Sequence, residues 1–514
     1  MPNTLKIQGS MKVQGGLYIT TNIITNTLVW SGLGINNNWS TTTNWNLRTP
    51  INFDILQFAG TTRLTPFNDL AVDTNLNGVA FNAGAGAFAI SGNRFILNAG
   101  DITNNSSNTQ QINNDIVLGS SAGNINCNSA PMFLNRNISG TGNLTKTGSS
   151  SLTLSGNNSY TGNTFINNGF VSVFNSNPFG TGSVYLQTTA QWPILVQPTA
   201  APATVVINNP IYSSYVAGGG GTLSLIYVGK STTFNGPITF VTNSGIPNQN
   251  VQFTLGAPSI TLTFNGGISG TPTWGSVLVN INGGTNTTVI LSNSPVIFNS
   301  TAVNFGFIGV TTAIIAVSGN RFQTIRNIGS NIRCDVPFAI NDDNITFGGT
   351  ETINLNGYDQ IFRSMNNGGT GNNIFNNSST FANLTINPRN ATNSIYNGSI
   401  SGNINLIKTN QFSTLTLSGI PALNIGPRYT GFTAISGGIL RVHALSSNPS
   451  NKVNYVDFLP TTLTVYFTTP PSIGDSFILL PGRTINSYPA VSLINATGRT
   501  ASYNSTTSTL SVIS

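Results

Sequence analysis

The sequence predicts an all-β chain wound as a long parallel β-helix, closed at its C-terminus by a small antiparallel β cap. Three observations carry that reading: a composition poor in helix formers, a rung-length repeat with tight corners, and period-two alternation of apolar residues within the repeat. Of 514 residues, 55 are Gly and only 6% are charged. Glu351 is the one glutamate. Helices lean on Ala, Leu, Glu, Lys and Arg. Thr, Val, Ile and Phe suit strands, and Asn and Gly suit turns. With 39% hydrophobic residues the chain can bury a large core, which excludes the highly charged, apolar-poor class of disordered proteins.

The repeat is a five-residue pattern: an apolar residue, Asn, two variable residues, then Ile. It occurs at Ile112–Ile116, Leu134–Ile138, Ile207–Ile211, Phe234–Ile238, Phe264–Ile268 and Tyr396–Ile400. Adjacent copies start 22, 27 or 30 residues apart. A unit of that length cannot bury its own apolar face, but stacked units can. Between copies the apolar residues alternate, as in Leu152-Thr-Leu154 and Val171-Ser-Val173, the period of a strand with one buried face. The strands are separated by Gly156-Asn-Asn158 and Asn167-Asn-Gly169, residue types that accept the left-handed backbone of a sharp corner. After Tyr455 the texture changes. Leu463–Phe467 and Phe477–Leu480 flank Pro470-Pro471, which predicts a hairpin within a cap over the last open rung.

A longer repeat carries a resemblance. Gly140-Thr-Gly-Asn-Leu-Thr-Lys146-Thr leads to Leu152-Thr-Leu-Ser-Gly156, Tyr160-Thr-Gly162 and Gly169-Phe-Val-Ser-Val173. Gly402-Asn-Ile-Asn-Leu-Ile-Lys408-Thr leads to Leu415-Thr-Leu-Ser-Gly419, Tyr429-Thr-Gly431 and Gly438-Ile-Leu-Arg-Val442. These stretches resemble the autotransporter-associated β-strand repeat of bacterial surface proteins. The opening region, with Trp30-Ser-Gly32 and Asn38-Trp-Ser-Thr-Thr-Thr-Asn-Trp45, resembles the start of long proteins built from that repeat. The resemblance implies a β-helix and says little about activity. Two features depart from the autotransporter pattern. The N-terminus shows no basic region followed by a continuous apolar run, and no membrane barrel follows the solenoid. Leu5–Ile19 resembles the short β-repeats of viral tail and head fibres instead. The expected organisation is an anchoring and oligomerisation segment at 1–28, a parallel β-helix at 29–455 and a C-terminal β cap at 456–514.

Candidate chemistry is sparse. His443, the single histidine, sits in an apolar strand, where a structural role outweighs a place in a catalytic triad. Glycan cleavage needs convergent carboxylates, and the dense acidic stretch is Asp335, Asp342, Asp343, Glu351 and Asp359. The bland reading is a solvated loop. The sharper one is a Ca²⁺ site with Asp342, Asp343 and Glu351 as ligands. Gly218–Gly221 ahead of Lys230 reads as a flexible corner rather than a phosphate loop. Trp30, Trp39 and Trp45 read as the core of an N-terminal cap, with sugar stacking as the alternative. Arg321, Arg326 and Arg333 are the nearest approach to a basic patch, although the net charge of +7 is spread thinly, so no nucleic-acid partner is expected. Cys127 and Cys334 read as buried thiols or a disulfide, which spacing cannot decide. No apolar run reaches the ~18 residues of a membrane span.

The expected function is that of a non-enzymatic surface fibre or adhesin without cofactors. A virion (phage) fibre, receptor-binding or decoration protein is the leading form. A secreted autotransporter-like adhesin and a polysaccharide depolymerase on the same scaffold are the alternatives. Expected partners are further copies of the chain, as a homotrimer, a virion or cell-surface scaffold protein held by residues 1–28, and a host surface glycan or receptor.

Overall fold

The computed structural model describes residues 26–514 except 99, 121–122, 189–191, 198–202, 215–221, 241–248, 271–276, 299–302, 368–370, 388–392, 411–412, 418–427, 444–451, 480–487, 489 and 508. Among the described residues the chain is all-β, with a single three-residue 3₁₀ turn at Thr42–Asn44 and no helix long and apolar enough to cross a membrane. Short strands wind into a parallel solenoid whose rungs lie in register on three faces. On the first face Val184, Ile211, Ile238, Ile268 and Val296 stand one above another. On the second, Leu134, Leu154, Val173, Val196, Val228 and Leu255 form the same kind of column. On the third, Ile207, Phe234, Phe264, Leu291, Ile315 and Cys334 do so. All of these side chains are buried, while most of the residues between them are part-exposed, Thr153 and Ser172 being buried as well. Period-two alternation thus becomes three apolar columns that meet along the axis. Cys127 and Cys334 are both buried free thiols, not a disulfide.

The five-residue pattern marks corners, though not always the same one. Ile207, Phe234 and Phe264 end strands of the third face, and Ile211, Ile238 and Ile268 open strands of the first. Leu134 instead ends a second-face strand, and Tyr396 leads from the second face into the third. A turn signal is local and does not record which corner it serves. The Asn of the pattern has a further job. Asn208 Nδ2 donates to Asn177 Oδ1 at 2.7 Å, Asn235 Nδ2 to Asn208 Oδ1 at 2.7 Å, and Asn265 Nδ2 to Asn235 Oδ1 at 2.8 Å. Ser292 Oγ closes the ladder on Asn265 Oδ1 at 2.6 Å. Each corner is thereby tied to the next by an amide that both donates and accepts.

Both ends of the sheets are covered. The first strand, Thr27–Trp30, pairs with Asp54–Phe58. Its outer edge is met by Asn46, whose N–H donates to Val29 O at 3.0 Å and whose Oδ1 accepts Val29 N–H at 2.9 Å. On the second face, Phe67 N–H donates to Asn37 O at 2.7 Å, and Phe67 O accepts Trp39 N–H at 2.9 Å. Under this loop Trp30, Trp39 and Trp45 are buried against Phe58, with Trp45 Nε1 donating to Trp39 O at 2.8 Å. At the other end the parallel winding stops at Ile439–His443. Val453–Phe458 runs antiparallel to that strand, and Thr462–Phe467 antiparallel to Val453–Phe458.

The expected hairpin around Pro470-Pro471 does not form. Thr462–Phe467 is already paired on both edges, with Val453–Phe458 and, in parallel, with Ala490–Ile494. Ser476–Ile478 joins Thr509–Val512 in a separate three-stranded antiparallel sheet. The prolines mark the turn but carry no information on the partner. Replacing Asn235 in the middle of its ladder by Ala removes two side-chain hydrogen bonds, each worth about 1 kcal/mol. Amide exchange at residues 232–240 is expected to accelerate about tenfold or more. Unchanged exchange there would show that the ladder is ornamental.

Candidate functional site

The acidic stretch distributes its carboxylates over two corners and a strand, with Asp335 and Asp359 on the same corner of successive rungs. Arg333 forms a two-pronged ion pair with Asp335, at 2.7 Å on each arm, and Asn356 Nδ2 donates to the same carboxylate at 2.9 Å. Asp359 accepts both the N–H and the Nδ2 of Asn383, at 2.6 and 2.9 Å. Asp343 is buried within the strand Asn341–Phe347, where the register shifts, and its Oδ1 accepts Gln323 N–H at 2.9 Å. Buried Glu351 accepts Gly329 N–H at 2.9 Å through Oε1 and Gly349 N–H at 2.6 Å through Oε2. The side chain of Asp342 lies outside the described residues. Of the three candidate Ca²⁺ ligands, the two described here are thus occupied by backbone N–H groups. Among the described residues, no group of three or more His, Cys, Asp or Glu stands together to hold a metal ion.

The other candidates are dispersed or buried. Arg326 points outward from the second face, in register with Thr346, while Arg333 lies on the third, in register with Asn354. Two faces share what the sequence groups, because a corner intervenes. Gly218–Gly221 lies outside the described residues. Trp30, Trp39 and Trp45 are 1%, 0% and 5% exposed, which leaves no ring face for a sugar.

His443 belongs to a cluster at the solenoid–cap junction. Arg441 clasps Asp457 at 2.6 and 2.7 Å and lies 4.4 Å from the centre of the Tyr455 ring. Tyr455 stacks on Tyr466 at 4.1 Å, with His443 5.5 Å away on Tyr455. Burial and the Arg441 cation hold the imidazole below its ordinary pKa, against the pull of Asp457.

Sequence reasoning did not single out Lys146 and Lys408. Each occupies an inward position of its strand, Leu144–Thr147 and Ile404–Lys408, and each is fully buried. Lys146 Nζ donates to the carbonyl oxygens of Thr147 and Gly148, both at 2.7 Å, and of Asn168 at 3.0 Å. Lys408 Nζ donates to the carbonyls of Thr409, Asn410 at 3.1 Å and Gly437 at 3.3 Å, and to Ser413 Oγ at 3.0 Å. Every one of these oxygens is neutral. Burying an ammonium costs several kcal/mol, and hydrogen bonds from a charged donor return roughly 1.5–3 kcal/mol each, so three or four of them are what the burial demands. Desolvation lowers the pKa of both, that of Lys408 to about 8, which leaves it protonated at neutral pH. The signal that identifies them is the alternation itself: period two assigns Lys146 to the same side as Leu144.

Comparison with known proteins agrees with this emphasis. The passenger-associated-transport-repeat family matches residues 144–173 and 412–442, the two copies of the longer repeat. No curated protein and no solved structure matches the chain. The chain is therefore a parallel β-solenoid bearing two copies of an autotransporter-associated passenger repeat.

Because the folded chain resists protonating His443, the unfolded chain takes up that proton first as pH falls. Stability of the junction is expected to be full above the ordinary histidine pKa near 6.5 and to decline as pH drops below it. Protection factors of the Val453–Phe458 amides at pH 7.5 and 5.5, in which the intrinsic pH dependence of exchange cancels, test this. Protection should fall at pH 5.5 in the wild type and fall less in His443→Asn, with Arg441, Tyr455, Asp457 and Tyr466 left in place. Equal loss of protection in both would place the pH dependence elsewhere.

Proposed function

We propose that the chain is a non-enzymatic surface rod, attached at its N-terminal end and projecting the solenoid outward for adhesion. The observation that supports it most is the cap at residues 31–46. That loop meets the outer edges of the first strands on two faces, at Val29 and at Phe67. Those residues alternate apolar and polar at Leu5, Ile7, Met11, Val13, Leu17 and Ile19, the pattern of a strand that takes its hydrogen bonds from another chain. The same end carries exposed apolar side chains at Leu33, Ile35, Leu47, Ile51 and Val72. Along the described residues from 73 to 337, Trp192 is the comparable case, and a second set, from Phe338 and Phe381 to Ile473 and Ile513, is exposed beyond them. A group of exposed apolar side chains beside the N-terminal cap suits an attachment site.

In the first reading the rod is a virion fibre or decoration protein, trimeric through residues 1–28, that meets a host glycan or receptor. In the second it is a secreted passenger-type adhesin, which the repeat match favours directly. The non-enzymatic reading is supported by the carboxylates, whose described members are engaged by backbone N–H groups, Asn383 or Arg333. Protein inventories separate the two settings: the chain should be found in purified virus particles under the first and in the outer-surface fraction of a bacterium under the second.

Removing residues 1–25 is expected to leave a soluble, folded rod by circular dichroism and size-exclusion chromatography, while abolishing oligomer formation and incorporation into particles. Aggregation of the truncated protein would make the segment part of the cap instead. The double variant Asp342→Asn, Asp343→Asn is expected to retain surface attachment. Loss of a measurable glycan-cleaving activity in that variant would replace the adhesin with a depolymerase.

A further inference from the structure

We infer that each of the two repeats builds a cation site from its own corner, that the resident cation is the chain's lysine ammonium, and that this ammonium locks one rung to the next. The two sites agree group by group. Lys146 is in register with Ile166, and Lys408 with Ile435. The residue two positions after each lysine, Gly148 or Asn410, holds a left-handed backbone, with φ of 74° and 69°. Both lysines bond the carbonyls of the next two residues and one carbonyl of the following rung, from Asn168 or Gly437. The residue after that carbonyl is Gly169 or Gly438, again left-handed at 65° and 72°. A Cβ at Gly169 would lie 2.9 Å from Lys146 Nζ, and one at Gly438 2.8 Å from Lys408 Nζ. The glycine of one rung therefore rests on the ammonium of the rung before it.

A second equivalent pair lies between these points. Tyr160 and Thr164 share a buried hydroxyl hydrogen bond of 2.6 Å, and Tyr429 and Thr433 one of 2.5 Å. The chain between lysine and glycine is longer in the second copy, yet the three carbonyl contacts recur, with Ser413 Oγ added as a fourth partner of Lys408. An arrangement that returns despite a change in loop length is set by the contacts and not by the local chain path.

The chemistry names the ligand class. The corner turns several backbone carbonyl oxygens onto the buried lysine side chain, and each exchanges water for the ammonium there. A group that satisfies several acceptors at once must carry several donors or a positive charge. The ammonium has both. An apolar side chain of the same length would fill the volume and leave the carbonyls without a donor. Emptied of its side chain, the same pocket suits a small primary ammonium ion from solution.

The test uses the full-length protein. In Lys408→Met, amide exchange across Ile404–Lys408 and Thr433–Ile435 is expected to accelerate on the order of a hundredfold, with the strands around Lys146 unchanged. Lys146→Met should give the mirror result. Exchange at the wild-type rate in both would assign the role to the apolar stem and overturn the proposal. In Lys408→Ala, propylammonium at constant ionic strength should restore protection in a saturable way. Tetramethylammonium, which has no N–H to donate, should not. Equal rescue by both, or rescue by neither, would remove the cation site. If these variants do not fold, the wild type decides. With ¹⁵N-labelled lysine, two side-chain ammonium signals should exchange slowly with water at neutral pH, and rapid exchange of all lysine signals would contradict the inference.

Discussion

Backbone pairing between successive rungs is the constraint on which this structure depends. Each interior strand finds its hydrogen-bond partners one rung above and one below, so the chain must return to the same corner geometry at every turn. Strand positions are undemanding, since Val, Ile, Leu and Phe interchange freely within the columns. Corners are not. They collect N–H and carbonyl groups that the ladders leave out, and each must be matched in an interior with little water. The chain matches them in two ways: carboxylates such as Glu351 on two N–H groups, and ammonium groups at Lys146 and Lys408 on carbonyls. Side-chain ladders such as Asn177–Asn208–Asn235–Asn265 tie one corner to the next on the outside. A chain with 6% charged residues thus uses several of them inside, where one charge replaces several neutral partners.

The same constraint makes the ends the vulnerable points. A parallel stack exposes an unpaired strand edge wherever it stops, and such edges recruit other chains. The N-terminal loop meets that risk with Asn37, Trp39 and Asn46 over a tryptophan core. The C-terminal end meets it by reversing direction, with Val453–Phe458 antiparallel on the last rung and the Arg441–Asp457 pair and tyrosine stack riveting the change. With the edges closed within the chain at Val29, Phe67 and Ile439–His443, contacts of these strands with other molecules fall to side chains.

The fold was legible because its determinants are local. Alternation gave the inward residues, and Asn and Gly gave the corners. The aromatic cap was legible because three tryptophans within sixteen residues of a chain otherwise poor in them ask for a common core. Pairing was legible only where the repeat supplied it. The antiparallel terminus has no repeat, so Thr462–Phe467 could not be matched to Ala490–Ile494 from turn signals. The acidic stretch misled for a related reason. Adjacency in sequence suggested convergence, whereas the winding leaves Asp335 and Asp359 one rung apart on the corner between the third and second faces, Glu351 on the corner back to the third, and Asp343 within a second-face strand. The lysines were overlooked because a lone cation reads as solvent-facing unless its parity in the strand is counted.

Small-angle X-ray scattering of the protein in solution tests the central claim most directly, that these residues form one continuous rod with the rungs stacked in register. The account predicts a skewed pair-distance distribution with a single short cross-sectional maximum and a long linear tail, lengthening by about 4.8 Å for each rung. A compact symmetric distribution, or two separated maxima from independently folded halves, would contradict it.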